Sequence, residues 1–249
     1  MSTTTDGVRV IRKSLVAGAG IVVFLVGLIA LAHTPAGRPL LGALARGFRG
    51  GACPLGYDRA ATPLAREQAR QRFAATHRGL ERAEGRPALG FALDQTSRAD
   101  VVALMAAHGI SCRPSTAIAD LICEQVPDAT LAAKSSTTDD QSRKRDLWFT
   151  FGASEKLIAV TALSRDVTAQ QATAAFVHAT GVVTRRAGPA LKAAGQPRPE
   201  VLAAGTLAQL SSEFAFADYY ATTRVTNMGK DYLLTEEYRS LPNPQVRPL

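Results

Sequence analysis

From Ser14 to Ala32 the chain runs for 19 residues without a charged side chain, SLVAGAGIVVFLVGLIALA. At about 1.5 Å of rise per residue such a helix measures roughly 28 Å, close to the ~30 Å hydrocarbon core of a bilayer. A helix buried in a protein core carries polar residues at helical spacing, and none interrupts this run. Two readings fit. One is an uncleaved signal anchor; the other is a secretory signal peptide with Arg9, Arg12 and Lys13 before it and a small-residue cleavage site at Ala30-Leu31-Ala32. The run exceeds the usual h-region of about 7–15 residues, which favours the anchor. Both readings export the rest of the chain. The charge asymmetry adds little, because Arg38, Arg46 and Arg49 follow the run almost as closely as the basic residues precede it. The expectation is a single-pass protein of the cytoplasmic (inner) membrane with its C-terminal domain on the periplasmic side.

Composition narrows the partners. The formal net charge is +8, but the arginines are dispersed and aromatic residues make up only 6% of the chain. A nucleic-acid binder groups its basic residues on one face with a recognisable motif, and no such motif is present, so nucleic acid is not an expected partner. With 46% hydrophobic and 20% charged residues, the chain is neither disordered nor polytopic.

Three cysteines stand at 53, 112 and 123 without CxxC or Cys/His metal spacing, so no metal or cofactor is expected. Cys53 is preceded by Gly50-Gly51-Ala52 and does not suit lipid attachment. Cys112 and Cys123 flank a turn-then-strand segment, and export to an oxidising compartment lets them pair. Two buried free thiols are the alternative.

The organisation reads as a basic tail (1–13), the apolar run (14–32), a Gly-, Pro- and Arg-rich linker (33–62), a folded domain (63–241, divisible at 165/166) and a Pro-rich tail (242–249). In the linker, Leu40, Leu41, Leu44 and Phe48 share a helical side, although four glycines break the stretch. Within the domain, Thr62-Pro63 opens a helix expected to continue to about Glu84 and stop at Gly85-Arg86-Pro87. Ala88–Leu93 reads as a short strand, and Thr96 or Ser97 caps a helix ending at His108-Gly109. Strands are expected over Ile118–Val126, Leu147–Phe151 and Leu157–Leu163, the last two joined by a tight turn at Gly152–Glu155. A helix after Thr168 carries a stripe of Ala172, Ala175, Phe176, Ala179 and Val183. Leu210–Val225 reads as one long strand, and Tyr232–Tyr238 as strand or helix. The fold class these elements predict is α+β, with helices packed on an antiparallel sheet behind the N-terminal transmembrane helix.

Residues 91–163 hold Ala99-Asp100-Val101 on a helix, then Leu147-Trp148-Phe149-Thr150-Phe151 and Lys156-Leu157-Ile158-Ala159-Val160 on strands. This order resembles the small BamE (SmpA/OmlA)-type envelope-assembly family, in which a T-x-x-x-V…L helix precedes a sheet with a W-x-Y/F strand. The resemblance implies a protein-interaction role in the cell envelope. The chain departs from the family at Gln95, where a Gly is usual, at His108-Gly109, and in lacking the N-terminal lipidated Cys.

No nucleophile elbow, HExxH, P-loop or dinucleotide fingerprint is present, and His33, His77, His108 and His178 are widely spaced. No catalytic residue is assigned. Asp139-Asp140 and Glu236-Glu237 are adjacent pairs whose side chains point apart on either regular element. The densest polar-aromatic patch is Glu213, Asp218, Tyr220 and Arg224, a candidate binding groove whose alternative is ordinary cross-strand pairing. The leading expectation is a membrane-anchored envelope protein that binds another envelope protein through its exposed sheet and Arg-rich helix. An exported enzyme using Asp218, Tyr220 and His178, and a cytosol-facing adaptor with free thiols, are the alternatives.

Overall fold

The structure, a computed structural model, describes residues 63–115, 120–131, 143–166 and 168–242, and the side chains of 63–66 are not among them. All belong to the second of two compact units, Met1–Cys53 and Pro54–Leu249. The elements are helices α1 (Pro63–His77), α2 (Arg98–Ala107), α3 (Ala169–Ala187) and α4 (Pro199–Ala203) with strands β1 (Cys112–Pro114), β2 (Leu121–Pro127), β3 (Lys144–Phe151), β4 (Leu157–Asp166), β5 (Lys192–Ala194), β6 (Gln209–Ala215), β7 (Tyr219–Asn227) and β8 (Tyr232–Ser240). The strands form one antiparallel sheet in the order β1-β2-β3-β4-β8-β7-β6-β5.

Alternation along each strand assigns its side chains to two faces. Phe149, Val160, Tyr238, Ala221 and Phe214 lie opposite one another on successive strands and are all buried, which defines the inner face. Val101 and Met105 of α2, the stripe of α3 and Leu202 of α4 cover it. Sequence signals place α2 and α3 well, whereas α4 was not foreseen. Ser97 and Asp100 form a capping box on α2, and Gly109, at φ 69°, ends it. Thr168 caps α3, whose five stripe residues are all buried. The β3–β4 turn closes with Gly152 N donating to Lys156 O at 2.8 Å.

The α+β expectation is corrected: this is a sheet-dominated unit in which the helices are accessories. Three local readings account for the difference, and a fourth departs in the opposite sense. Leu210–Val225 is two strands, because the chain reverses at Ala217-Asp218 and Phe216 N donates to Tyr219 O at 2.8 Å. Tyr232–Ser240 is a strand, central in the sheet. The short strands β1 and β5 carry too few residues for a periodic signal. Ala88–Leu93 is not a strand, since Leu89 (φ 55°), Gly90 (φ 89°) and Asp94 (φ 66°) turn the chain while Ala88, Phe91 and Leu93 still bury their side chains.

Helix α1 ends at His77, short of the expected Glu84. The chain leaves the helix to strap across the β6–β7 turn: Gly79 N donates to Phe216 O at 3.1 Å, and Ala217 N donates to Glu81 O at 2.6 Å. A Cβ on residue 79 would stand 2.1 Å from the Ala215 carbonyl oxygen, so only glycine fits that approach.

Among the described residues no helix is long and apolar enough to cross a membrane. Residues 14–32, for which the sequence predicts a transmembrane helix, lie outside the described residues, as do Cys53, the linker and residues 243–249.

Candidate functional site

On the outer face the register lines up residues across the whole sheet. One row reads Ile122, Trp148, Thr161, Glu237, Thr222, Glu213 and Lys192. The next, toward one sheet end, holds Leu163, Thr235, Arg224 and Ser211. Thr161, Thr222, Glu213, Glu237, Thr235 and Ser211 are half-buried and Arg224 is exposed, so this part of the face is polar and reachable by solvent.

The other end of the outer face is closed by α1. Phe73 meets Tyr220 edge-on with ring centroids 5.2 Å apart, and His77 stacks on Phe73 at 4.2 Å while approaching Tyr220 at 5.0 Å. The Arg239 guanidinium lies 4.7 Å above the Phe73 ring, and its Nε donates to Glu237 Oε1. Burial pushes the Tyr220 phenol well above its ordinary range; the carboxylates of Glu213 and Glu237 push the same way, while Arg239 and Arg224 act against them. Tyr220 is therefore a neutral phenol, 6% exposed, wedged between the helix and the polar rows.

Of the four residues predicted as a groove, Glu213, Tyr220 and Arg224 share this outer face. Asp218 does not join them. It sits in the β6–β7 turn, where its Oδ1 accepts from Ala83 N at 3.1 Å, its Oδ2 lies 3.6 Å from Arg82 Nε, and its carbonyl accepts from Leu241 N. Its role is to hold the strap. His178 is exposed on α3, which covers the inner face, so Asp218, Tyr220 and His178 are not assembled into one site. Sequence reasoning missed Glu237, Arg239, Phe73 and His77 as neighbours of Tyr220, since only the register and the docking of α1 bring them there.

A second polar group lies on the inner face. Arg145 reaches from β3 across Ala162 and Ser164 of β4, whose small side chains leave it room, to Glu236 Oε1 on β8. Its Nε and Nη2 also donate to Asp128, at 2.5 and 3.0 Å. Glu236 Oε2 accepts from the Tyr238 hydroxyl at 2.5 Å, and Arg143 pairs with Asp166 nearby. Burial disfavours the Arg145 charge, yet Glu236 and Asp128 outweigh it and raise its pKa further. The same burial, reinforced by Glu236, lifts the phenols of Tyr219 and Tyr238 far up. Thr223 Oγ1, beside Glu236 in the register, Ser164 Oγ and Thr173 Oγ1 are buried without hydrogen-bond partners among the described residues. This seam is closed, and all its charges are paired. It reads as structure rather than as a ligand pocket.

Cys112 and Cys123 form a disulfide between directly opposed residues of β1 and β2, with Cα atoms 4.2 Å apart. Among the described residues no group of three or more His, Cys, Asp or Glu side chains is placed to hold a metal ion. Comparison with protein-family models, with curated proteins and with solved structures found no match for this chain.

Proposed function

We propose that the described domain is an extracytoplasmic binding module that docks another protein of the cell envelope on the polar part of its outer sheet face. The observation that carries the reading is the asymmetry of the sheet. The inner face is sealed by α2, α3 and α4, whereas the rows holding Glu213, Thr222, Glu237 and Arg224 are left half-open beside α1. Hydroxyls, two carboxylates and an exposed guanidinium on a rigid strand scaffold supply directional polar contacts of the kind found in reversible protein interfaces.

Three features support the compartment. The Cys112–Cys123 bond belongs to an oxidising environment, the charge-free run at 14–32 suits export, and residues 91–163 resemble an envelope-assembly family. Site-specific photo-cross-linking in cells tests the reading. A photoreactive side chain at Thr222 is expected to capture one discrete protein partner, whereas the same group at Val177, exposed on α3, captures none. Adducts of equal yield from both positions, or none from Thr222, would contradict it.

A further inference from the structure

The edge strand β1 is unusual in what holds it to the sheet. Among the described residues it pairs with β2 at three positions: Cys112 with Cys123, Arg113 with Ile122, and Pro114 with Leu121. Pro114 has no N–H to give the ladder. Arg113 and Pro114 are exposed, and the ion pair of Arg113 with Glu124 (2.6 Å) is exposed on both sides, where such pairs add little. Only Ile110 and Cys112 pack against the core from this segment, and both are partly exposed.

The neighbouring strand is held quite differently. β2 buries Leu121, Ile122, Cys123 and Val126 and pairs with β3 at five positions. Among the described residues its second half, from Glu124, has no strand on the β1 side. The disulfide thus joins a weakly held strand to a firmly held one.

The geometry points to a redox latch: the Cys112–Cys123 bond pins β1, and its reduction frees β1 from the sheet while leaving β2 in place as a newly uncovered edge. The reductant is a dithiol. One of its thiolates attacks a protein sulfur and expels the other as a thiolate, and its second thiol then resolves the mixed disulfide. The reductant leaves oxidised, and Cys112 and Cys123 each gain one electron and one proton. Half-buried Cys112 gives the attacking group access, whereas Cys123 is 0% exposed. Once the bond is open, the three ladder positions and the exposed ion pair described above are set against the chain entropy that β1 regains. A bare strand edge is a template for pairing with another extended segment, so the latch controls whether that edge is available. This inference is independent of the docking face, which lies on β6, β7 and β8.

Hydrogen exchange on the full chain carrying Cys53→Ser, which prevents thiol exchange with the third cysteine, tests it with and without dithiothreitol. On reduction, amides of residues 109–115 and 121–124 are expected to exchange about tenfold faster or more relative to those of β7 and β8. Two results would overturn the latch. In one, exchange at 109–124 is unchanged. In the other, β7 and β8 accelerate as much as the β1–β2 segment, which makes the bond a global staple. The double variant Cys112→Ser/Cys123→Ser, measured without reductant, must reproduce the same differential pattern, and a uniform pattern there overturns it as well.

Discussion

Arg145 shows how one side chain organises the interior. Its guanidinium satisfies Asp128, in the helical turn that follows β2, and Glu236, on β8, together, and both are at least nine-tenths buried. Removing it takes the counter-charge from buried Glu236 and a bidentate partner from Asp128. Arg145→Met is expected to cost about 3–5 kcal/mol, read as a fall in the urea midpoint. Arg113→Ala, which breaks an exposed pair, should cost about 1 kcal/mol or less in the same assay. The phenols of Tyr219, Tyr220 and Tyr238 make a pH prediction. Their folded-state pKa values lie above the ordinary 10.0, so the stability they confer is complete below that pH and is lost as pH rises further. Unfolding midpoints should hold to about pH 9 and fall by about pH 11, and Tyr220→Phe should flatten part of that fall. Adjacency in the sequence correctly separates Glu236 from Glu237, one on each face. It says nothing of Arg145, which lies 91 residues from Glu236 and is brought there by the register alone.

At the scale of elements, the helix caps and the α3 stripe were readable because each signal is local: a capping side chain, a 3.6-residue period, a terminal glycine. The strap after α1 was not readable, because beyond Arg78, whose N–H still donates to Ala74 O, the chain gives up helical hydrogen bonds for partners on the β6–β7 turn, as Gly79, Glu81 and Ala83 do. The Arg78 guanidinium adds bonds to the carbonyls of Ala217, on that turn, and of Pro242, after β8. Gly79→Ala tests this directly. The added methyl meets the Ala215 carbonyl, and the variant should lose about 1–3 kcal/mol, seen as a lowered Tm. The β6–β7 reversal was hidden for a related reason. Its turn residues, Phe216-Ala217-Asp218, include no glycine or proline, and the strap supplies the bonds that such residues would otherwise make unnecessary. In a chain-entropy model the disulfide contributes about 3 kcal/mol to global stability. A latch on an edge strand implies that Cys112→Ser/Cys123→Ser loses less than that in equilibrium unfolding, because the opened native state recovers entropy at β1.

The molecule as a whole is a sheet with two unlike faces, and the unlikeness is where function enters. Apolar alternation in β3, β4 and β6–β8 made an inner face foreseeable, but the strand order was not, since β4 pairs with β8 across 65 intervening residues of α3, α4 and β5–β7. Glu213, Tyr220 and Arg224 were legible as a cluster because they are close in sequence, but it is the reversal between β6 and β7, read as one continuous strand, that puts them on one face. Glu237 and Arg239 complete it only through that distant pairing. An extracytoplasmic domain requires its thiols to be paired in the cell, and trapping them tests the account most directly. Cells are quenched in acid, free thiols are alkylated without reductant, and the intact mass of the protein is read. Cys112 and Cys123 are expected to stay unmodified until a reductant is added. Alkylation of both without reductant would contradict the oxidising compartment, and with it the export on which the proposed function stands.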